Sequence, residues 1–560
     1  VAFRDLCALL NNGKPNHVSV RIENDASTGA SIRLYSTGTV PSLSRILPAL
    51  QNAGVAIDRE QAFAITTNDG TRHFVTSLIV DLESAAKLAK PGIADVAEEL
   101  FEALFNDEAE DGRLNGLTIE GGLSTREVQL VRAYISYWRQ AGSKFSTRYM
   151  AETLRLRAGL VKELVDGFLL RFDPKLGEDQ RALGAAKLAE LKAGLATVNH
   201  ADTEEIMAAL VDLVMATVRT NYFQGDEQNR GDKIIFKFNT SNLMLVPEPR
   251  PFREIYVFSR RFEGVHLRGG PVARGGLRWS DRMEDYRTEV LGLVKAQMVK
   301  NAVIVPAGSK GGFVCKQMPK DAAREVVAAE GEAVYRLFIA SLLEVTDNRV
   351  RGEIDAPSDT VRYDQDDPYL VVAADKGTAT FSDIANSIAV SRGFWLGDAF
   401  ASGGSNGYDH KKMGITAKGA FEAVKRHFYE MGHDMATTPI TMVGVGDMSG
   451  DVFGNGVLLS RQLKVLAAFD HRHIFLDPNP DVIVSFKERQ RMFALPRSSW
   501  EDYDKSLISQ GGGVFPRSAR HIDLTPEVRA ALDIEETSLT PEELMHRILL
   551  APVDLFYNGG

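Results

Sequence analysis

Short runs at 17–22, 31–36, 63–67 and 72–80 alternate apolar and polar positions, and an amphipathic run at 42–53 is closed by Gly54. Period-two alternation predicts strands and the longer run predicts a helix, in the order strand, strand, helix, strand, strand. Asn68-Asp69-Gly70 is a hairpin signal between the last pair, while Pro48 counts against the helix because it removes a backbone donor. From about 86 to 240 the apolar spacing changes to three and four, as at 94–105, 124–139 and 204–218, and predicts helices. Near 241 the texture turns β-branched and aromatic, with a strand at 255–259 and a helix at 284–300 whose stripe is Tyr286, Val290, Leu293 and Val294. The apolar run 369–374 reads as a buried strand ending at Asp375. The last region reads as a strand at 440–443, a glycine turn, a helical stretch to Gln462 and a strand at 464–469.

Candidate chemistry gathers on a few of these elements. Lys310 stands in Pro306-Ala307-Gly308-Ser309-Lys310-Gly311-Gly312, directly after the apolar run 302–305. Glycines permit tight backbone and solvate poorly, so its pKa is expected to fall from about 10.4 toward roughly 7 or 8. A surface-loop lysine among turn residues is the competing reading. Gln297 and Lys300, three apart, share a face at the end of the helix, where they form a carboxylate clamp or merely complement the helix dipole. Asp375 is either a strand-end catalytic carboxylate or the cap of the next turn.

Gly444-Val445-Gly446-Asp447-Met448-Ser449-Gly450 follows a strand, as a turn does that lets a pyrophosphate approach the backbone at a helix N-terminus. Ser449 takes the third small position, a departure from GxGxxG, and Asp447 repels a pyrophosphate unless it points away. Asp470 ends the next strand 24 positions after Gly446 (470 − 446), where such folds place an acid on a ribose 2′-hydroxyl. Alternatively it opens a loop in which Arg472 meets a phosphate.

Composition narrows the classes. A chain of 560 residues suggests about three or four domains. With 65 basic and 75 acidic residues and a pI near 5.7, it has no electrostatic footprint for nucleic acid or an anionic membrane. Cys7 and Cys315 are too few for a disulfide framework, no CxxC suggests structural zinc, and a reducing cytoplasm fits. No apolar stretch approaches the roughly 20 residues that span a bilayer. Gly308-Ser309-Lys310 lacks the glycine that precedes a phosphate-loop lysine, which disfavours an NTPase. His471 and His473 flank a cation and show no third ligand, so no metal is expected.

The segments RGGLRWSDR (274–282), QMVKNAVIVPAGSKGG (297–312), VAADKGTATFSDIAN (372–386) and GVGDMSGDVFGNG (444–456) resemble the amino acid dehydrogenases, and most closely the large bacterial NAD-specific glutamate dehydrogenases. The resemblance covers about 240–560 and, more loosely, the part before it. It implies an α/β multidomain chain: an ACT-like α+β module at 1–85, a mainly helical connector at 86–240, a substrate-binding catalytic domain at 241–430 and a Rossmann-type NAD-binding domain at 431–560. In the family the sequence runs on past Gly560, so this last domain is expected to be incomplete and the chain to be a piece. Carried over by position, Arg274, with Gly275 and Gly276, faces the substrate side-chain carboxylate, and Gln297 and Lys300 bind the α-carboxylate. Lys310 becomes the catalytic lysine and Asp375 the proton-shuttling aspartate, in an interdomain cleft. Thr416, Gly444, Gly446, Asp447, Met448, Ser449 and Asp470 surround NAD.

The activity implied is oxidative deamination of L-glutamate to 2-oxoglutarate and ammonium by a cytoplasmic homo-oligomer, tetramer or hexamer, with an amino-acid effector at the N-terminal module. Leucine and phenylalanine dehydrogenases are one rival, but those families tend to be apolar where Arg274 stands. An amino-acid sensor with an inactive dehydrogenase half is the other. Lys300, Lys310, Asp375 and the glycine turn together speak against it.

Overall fold

The structure, a computed structural model, describes residues 17–25, 29–68, 70–225, 231, 233–241, 243–298, 307–318, 322–375, 380–407, 410–496 and 498–559. Lys300, the apolar run 302–305 and Asp69 of the hairpin signal lie outside them. Contacts divide the chain into two compact units, Val1–Gly404 and Ser405–Gly560.

In the first unit β1 (Val18–Asp25), β2 (Gly29–Thr37), β3 (Ile57–Thr66) and β4 (Arg72–Val80) form an antiparallel sheet in the order β1-β2-β4-β3. Alternation sends Val18, Val20, Ile32, Leu34, Leu78 and Val80 into a core shared with α1 (Leu43–Asn52) and α2 (Ile93–Phe105). Pro48 does sit inside α1, on its exposed side, and Ile46, Ala49 and Leu50 hold the helix from the other. Among the connector helices that follow are α3 (Thr125–Gln140), opened by a Ser124/Glu127 capping box, and α4 (Ala201–Ala216). The helix expected to reach 218 stops at Ala216, because Thr217, Val218 and Thr220, all β-branched, leave in a strand.

That strand is the edge of an eight-stranded mixed sheet: β5 (Thr217–Thr220), β6 (Ile234–Phe238), β7 (Arg253–Phe258), β8 (Phe262–Arg268), β9 (Ala273–Trp279), β10 (Ala307–Cys315), β13 (Val371–Ala374) and β14 (Ala401–Ser402). The order is β14-β13-β9-β10-β8-β7-β6-β5, with a hairpin of β11 (Asn348–Val350) and β12 (Glu353–Asp355) standing apart. The four strands from β14 to β10 run parallel, and α5 (Tyr286–Met298) lies in the crossover from β9 to β10. Successive strand residues point to opposite faces. Leu277, Phe313 and Val372 enter a core with α6 (Arg324–Glu344) and α7 (Ser382–Ser391). Val314 enters the other with Val290 and Val294 of α5. Positions 274, 276 and 278 of β9, 310 of β10 and 375 after β13 therefore share the α5 face. Arg287 anchors α5 through two 2.7 Å bonds to Glu254 of β7, a fully buried pair that also receives Tyr137 Oη of α3. One core joins the connector helices to this sheet, so contacts show no break at the expected boundary of 240.

The second unit has a five-stranded sheet of β15 (Ile440–Val445), β16 (Leu463–Phe469), β17 (His473–Leu476), β18 (Gly513–Pro516) and β21 (Leu555–Asn558), in the order β18-β17-β16-β15-β21. Here β19 (Ile522–Asp523) and β20 (Ser538–Leu539) pair separately. Both neighbours of β15 run parallel to it, whereas β17 and β18 are antiparallel. The expected boundary at 430/431 differs from the contact division. Helix α8 (Ile415–Glu430) buries Phe421 and Phe428 in the core of Met442 and Val465, which ties 415–430 to this sheet. The helical stretch expected to reach Gln462 ends early, as α9 (Asp451–Gly456), a segment weakened by two glycines. Among the described residues no helix is long and apolar enough to cross a membrane.

Candidate functional site

Strand β9 lies between β10 and β13, and the shared face brings their polar side chains together. Lys310 Nζ donates to Asp375 Oδ2 at 3.0 Å, and Arg278 Nη2 donates to Asp375 Oδ1 at 3.3 Å. Arg278 Nη1 reaches Glu289 Oε1 of α5 at 2.7 Å, and Ser280 Oγ donates to Glu289 Oε2 at 2.6 Å. Burial opposes charge on Arg278, but hydrogen bonds to Glu289 and Asp375 outweigh it and hold the guanidinium above its ordinary pKa. Burial likewise opposes charge on Glu289 and is outweighed by Ser280 and Arg278, which hold its carboxyl low. Lys310, flanked by glycines in sequence, has the Asp375 carboxylate as its neighbour in space.

The glycines make room for these contacts. A Cβ on Gly276 would stand 3.0 Å from Asp375 Cβ, and one on Gly308 would stand 2.4 Å from Gln297 Oε1. On Gly275 it would fall 1.6 Å from the Ser309 carbonyl oxygen of β10. Gly275, expected at the substrate with Gly276, thus lets β9 and β10 approach, and Gly276 leaves room for the Asp375 side chain. Arg274 is exposed on the same face as Lys310, paired in register with Gly308 and Val371. Gln297 lies over Gly308, its Oε1 buried with no partner among the described residues. Arg274, Gln297, Lys310 and Asp375 accordingly occupy one side of one sheet. Sequence reasoning missed Arg278 and Glu289. Period two could have found Arg278, four positions after Arg274 and so on its face.

In the second unit the glycine turn joins β15 to α9. Gly446 has φ +133°, and a Cβ there would stand 2.7 Å from Phe453 Cβ, a position that excludes a side chain. Gly444 lies against the same phenylalanine, and Met448 is fully buried in the core, lending the turn only its backbone. The Asp447 carboxylate turns back onto its own glycine turn. Its Oδ1 accepts from Ser449 N at 2.8 Å, Ser449 Oγ at 2.6 Å and Gly450 N at 3.0 Å. The amides of Ser449 and Gly450, which lead into the six-residue α9, are thereby bonded within the turn. Asp470 is 7% exposed; its Oδ1 accepts from the amides of Arg472 and His473, each at 2.7 Å. Its Oδ2 is buried with no partner among the described residues.

Gly446, Asp447, Ser449, Asp470, Arg517 and Gly559 are among the residues lining a cavity of about 610 Å³. Arg517 and Gly559, both missed from sequence, come from distant chain, Arg517 donating to the Asp470 carbonyl at 3.1 Å. Thr416 is exposed at the start of α8 and does not line this cavity. His471 brings a donor atom within 4.8 Å of donors on Asp447 and Asp470, a grouping that the pairing of His471 with His473 overlooked. His473 instead meets Glu501 at 3.3 Å.

These parts define a multidomain α/β protein with a Rossmann-type glycine turn and a separate sheet bearing a lysine–aspartate pair. A family model described as bacterial NAD-glutamate dehydrogenase, catalytic domain, matches residues 190–560. Models for glutamate dehydrogenase helical motif 3 and for its ACT3 domain match 109–174 and 18–92. The chain is 48% identical over 555 residues to the NAD-specific glutamate dehydrogenase of Halomonas elongata, a match covering 98% of this chain and 34% of that protein. It is 50% identical over 565 residues to that of Mycobacterium tuberculosis, covering 96% and 34%. With that of Pseudomonas aeruginosa the figures are 49% over 536 residues, 94% and 33%. The chain belongs to the bacterial NAD-specific glutamate dehydrogenase family, and it spans about a third of the length of these relatives.

Proposed function

We propose that this protein carries out NAD-dependent oxidative deamination of L-glutamate to 2-oxoglutarate and ammonium. The observation that carries the reading is the Lys310–Asp375 contact at 3.0 Å, on a face that also holds Arg274 and Gln297. Arg274 takes the side-chain carboxylate, while Gln297, donating through its amide nitrogen, takes the α-carboxylate together with Lys300. Two fixed carboxylates orient Cα, which converts binding into rate. Lys310 activates the water that adds to the iminium carbon, and Asp375 accepts and returns protons at the substrate nitrogen. Bound NAD supplies the hydride acceptor. The residues around the 610 Å³ cavity fit it, because the buried, unpartnered Asp470 Oδ2 suits a ribose hydroxyl and repels a 2′-phosphate. Thr416 toward the nicotinamide amide, an amino-acid effector at the N-terminal module and a cytoplasmic homo-oligomer complete the reading on family resemblance.

The test is glutamate-dependent growth of reduced-nicotinamide absorbance in the intact enzyme, with Lys310→Ala beside the wild type. A positioned acid–base group contributes about 10² to 10⁴ in rate, so turnover should fall by that factor with NAD affinity nearly unchanged. A variant retaining a tenth or more of the turnover overturns the assignment. Lys310→Arg should restore little, since a guanidinium stays protonated.

A further inference from the structure

The role given to Asp375 requires a defined orientation of its carboxylate. Asp375 lies one residue beyond the end of β13, and torsion about its terminal bond is broad and roughly two-fold. Lys310 donates to Oδ2, and a donor on Oδ1 as well sets which oxygen faces the lysine. Arg278 supplies that donor from β9, an interior strand bonded on both sides, by β10 and by β13. Gly276, two positions earlier on the same face, leaves clear the space through which Asp375 enters.

The arginine is itself held. Glu289 takes its Nη1, Ser280 occupies the second oxygen of Glu289, and the helix carrying Glu289 is anchored by the buried Arg287–Glu254 pair. Side-chain exposure is 17% for Arg278, 14% for Glu289 and 18% for Asp375, unlike an ion pair that is free to dissociate into water. We propose that Arg278, braced by Glu289 and Ser280, is a positioning residue for the reaction, holding the Asp375 carboxylate in the one orientation that faces Lys310. The proposal rests on the roles of Lys310 and Asp375 given above. Arg278 needs no contact with substrate; its effect passes through Asp375. A guanidinium is required because it bridges two carboxylates through two separate nitrogens, which a lysine cannot do in a fixed plane.

The experiment compares Arg278→Ala, Arg278→Lys and Glu289→Gln with wild type in the intact enzyme, measuring kcat, KM for glutamate and KM for NAD, with and without added guanidinium. Misplacement of a catalytic group by about an ångström can cost about 10²-fold. Both Arg278 variants are therefore expected to lose roughly 10- to 100-fold in kcat with either KM changed by less than about 3-fold. Glu289→Gln should lose less, and free guanidinium should restore part of kcat in Arg278→Ala. A merely structural arginine would move the melting temperature without this kcat-only signature and without rescue. If Arg278→Ala fails to fold, Arg278→Lys and Glu289→Gln decide. Wild-type kcat in those two, or a loss confined to KM, overturns the proposal while leaving Lys310→Ala inactive and the proposed function intact. A wild type that does not oxidise glutamate removes both.

Discussion

Asp470 has one oxygen tied to its own hairpin turn and one buried without a partner, and that asymmetry gives it a consequence in cofactor choice. Asp470→Ser should reduce the preference for NAD over NADP, measured as the ratio of kcat/KM values. A wild type that favours NADP, or a ratio the substitution leaves untouched, would remove Asp470 from the cofactor site. Arg274 makes a different claim on specificity. A hydrogen bond to a charged group is worth about 1.5 to 3 kcal/mol, roughly 10- to 150-fold, so Arg274→Leu should raise KM for glutamate far more than for norvaline, which lacks the distal carboxylate. Equal weakening of both substrates would make the residue structural. Lys310, Asp375 and Asp470 were legible as residues because each sits at a strand or turn position with a chemical rationale. Their partners were not: nothing local in Ser280 or Glu289 announces Arg278 across a strand-to-helix gap.

At the level of elements, β9 is only as good as its glycines. A methyl on Gly275 would overlap the Ser309 carbonyl at 1.6 Å, a backbone atom that cannot turn aside without breaking the β9–β10 ladder. Gly275→Ala should cost at least the 1–3 kcal/mol of an overpacked core, seen in chemical denaturation; unchanged stability would mean the strands are further apart than described. Helix α5 depends on its buried pair in the same way. Glu254→Ala leaves Arg287 charged and unpaired and should cost about 3–5 kcal/mol. Helix and strand were readable over most of their lengths because apolar spacing changes with element type. Their ends were less so: the strand-forming 217–220 followed a helical run without a break in hydrophobicity.

For the molecule as a whole, acid should be damaging well before its carboxylates titrate. His266 on β8 is fully buried, and desolvation, with the Arg268 charge second, pushes its pKa down to about 3 from 6.5. The unfolded chain therefore binds a proton that the folded one refuses between those values. Stability on this account is complete above about pH 6.5 and falls as pH drops toward 3, by up to about 1.4 kcal/mol per unit. His266→Phe should flatten the loss between about pH 6 and 4 in denaturation midpoints. An acid slope equal to that of wild type would show that the histidine is not carrying it.

Alone, the sequence determined which stretches are strand or helix, which residues bear useful chemistry, and which family the motifs resemble, because all three depend on residue type and on spacing within a few turns of chain. Only the tertiary structure decided which residues meet. Strand order puts β9 between β10 and β13, and the pleat puts 278, 310 and 375 on one face, so Arg278 joins Lys310 at Asp375 across gaps of 97 and 65 residues. The same holds for Asp447, whose carboxylate turned out to serve the turn amides, and for Asp470, whose free oxygen becomes a site only when distant residues wall the cavity around it. Contacts of that kind are set by sheet topology and close packing, to which local pattern is blind.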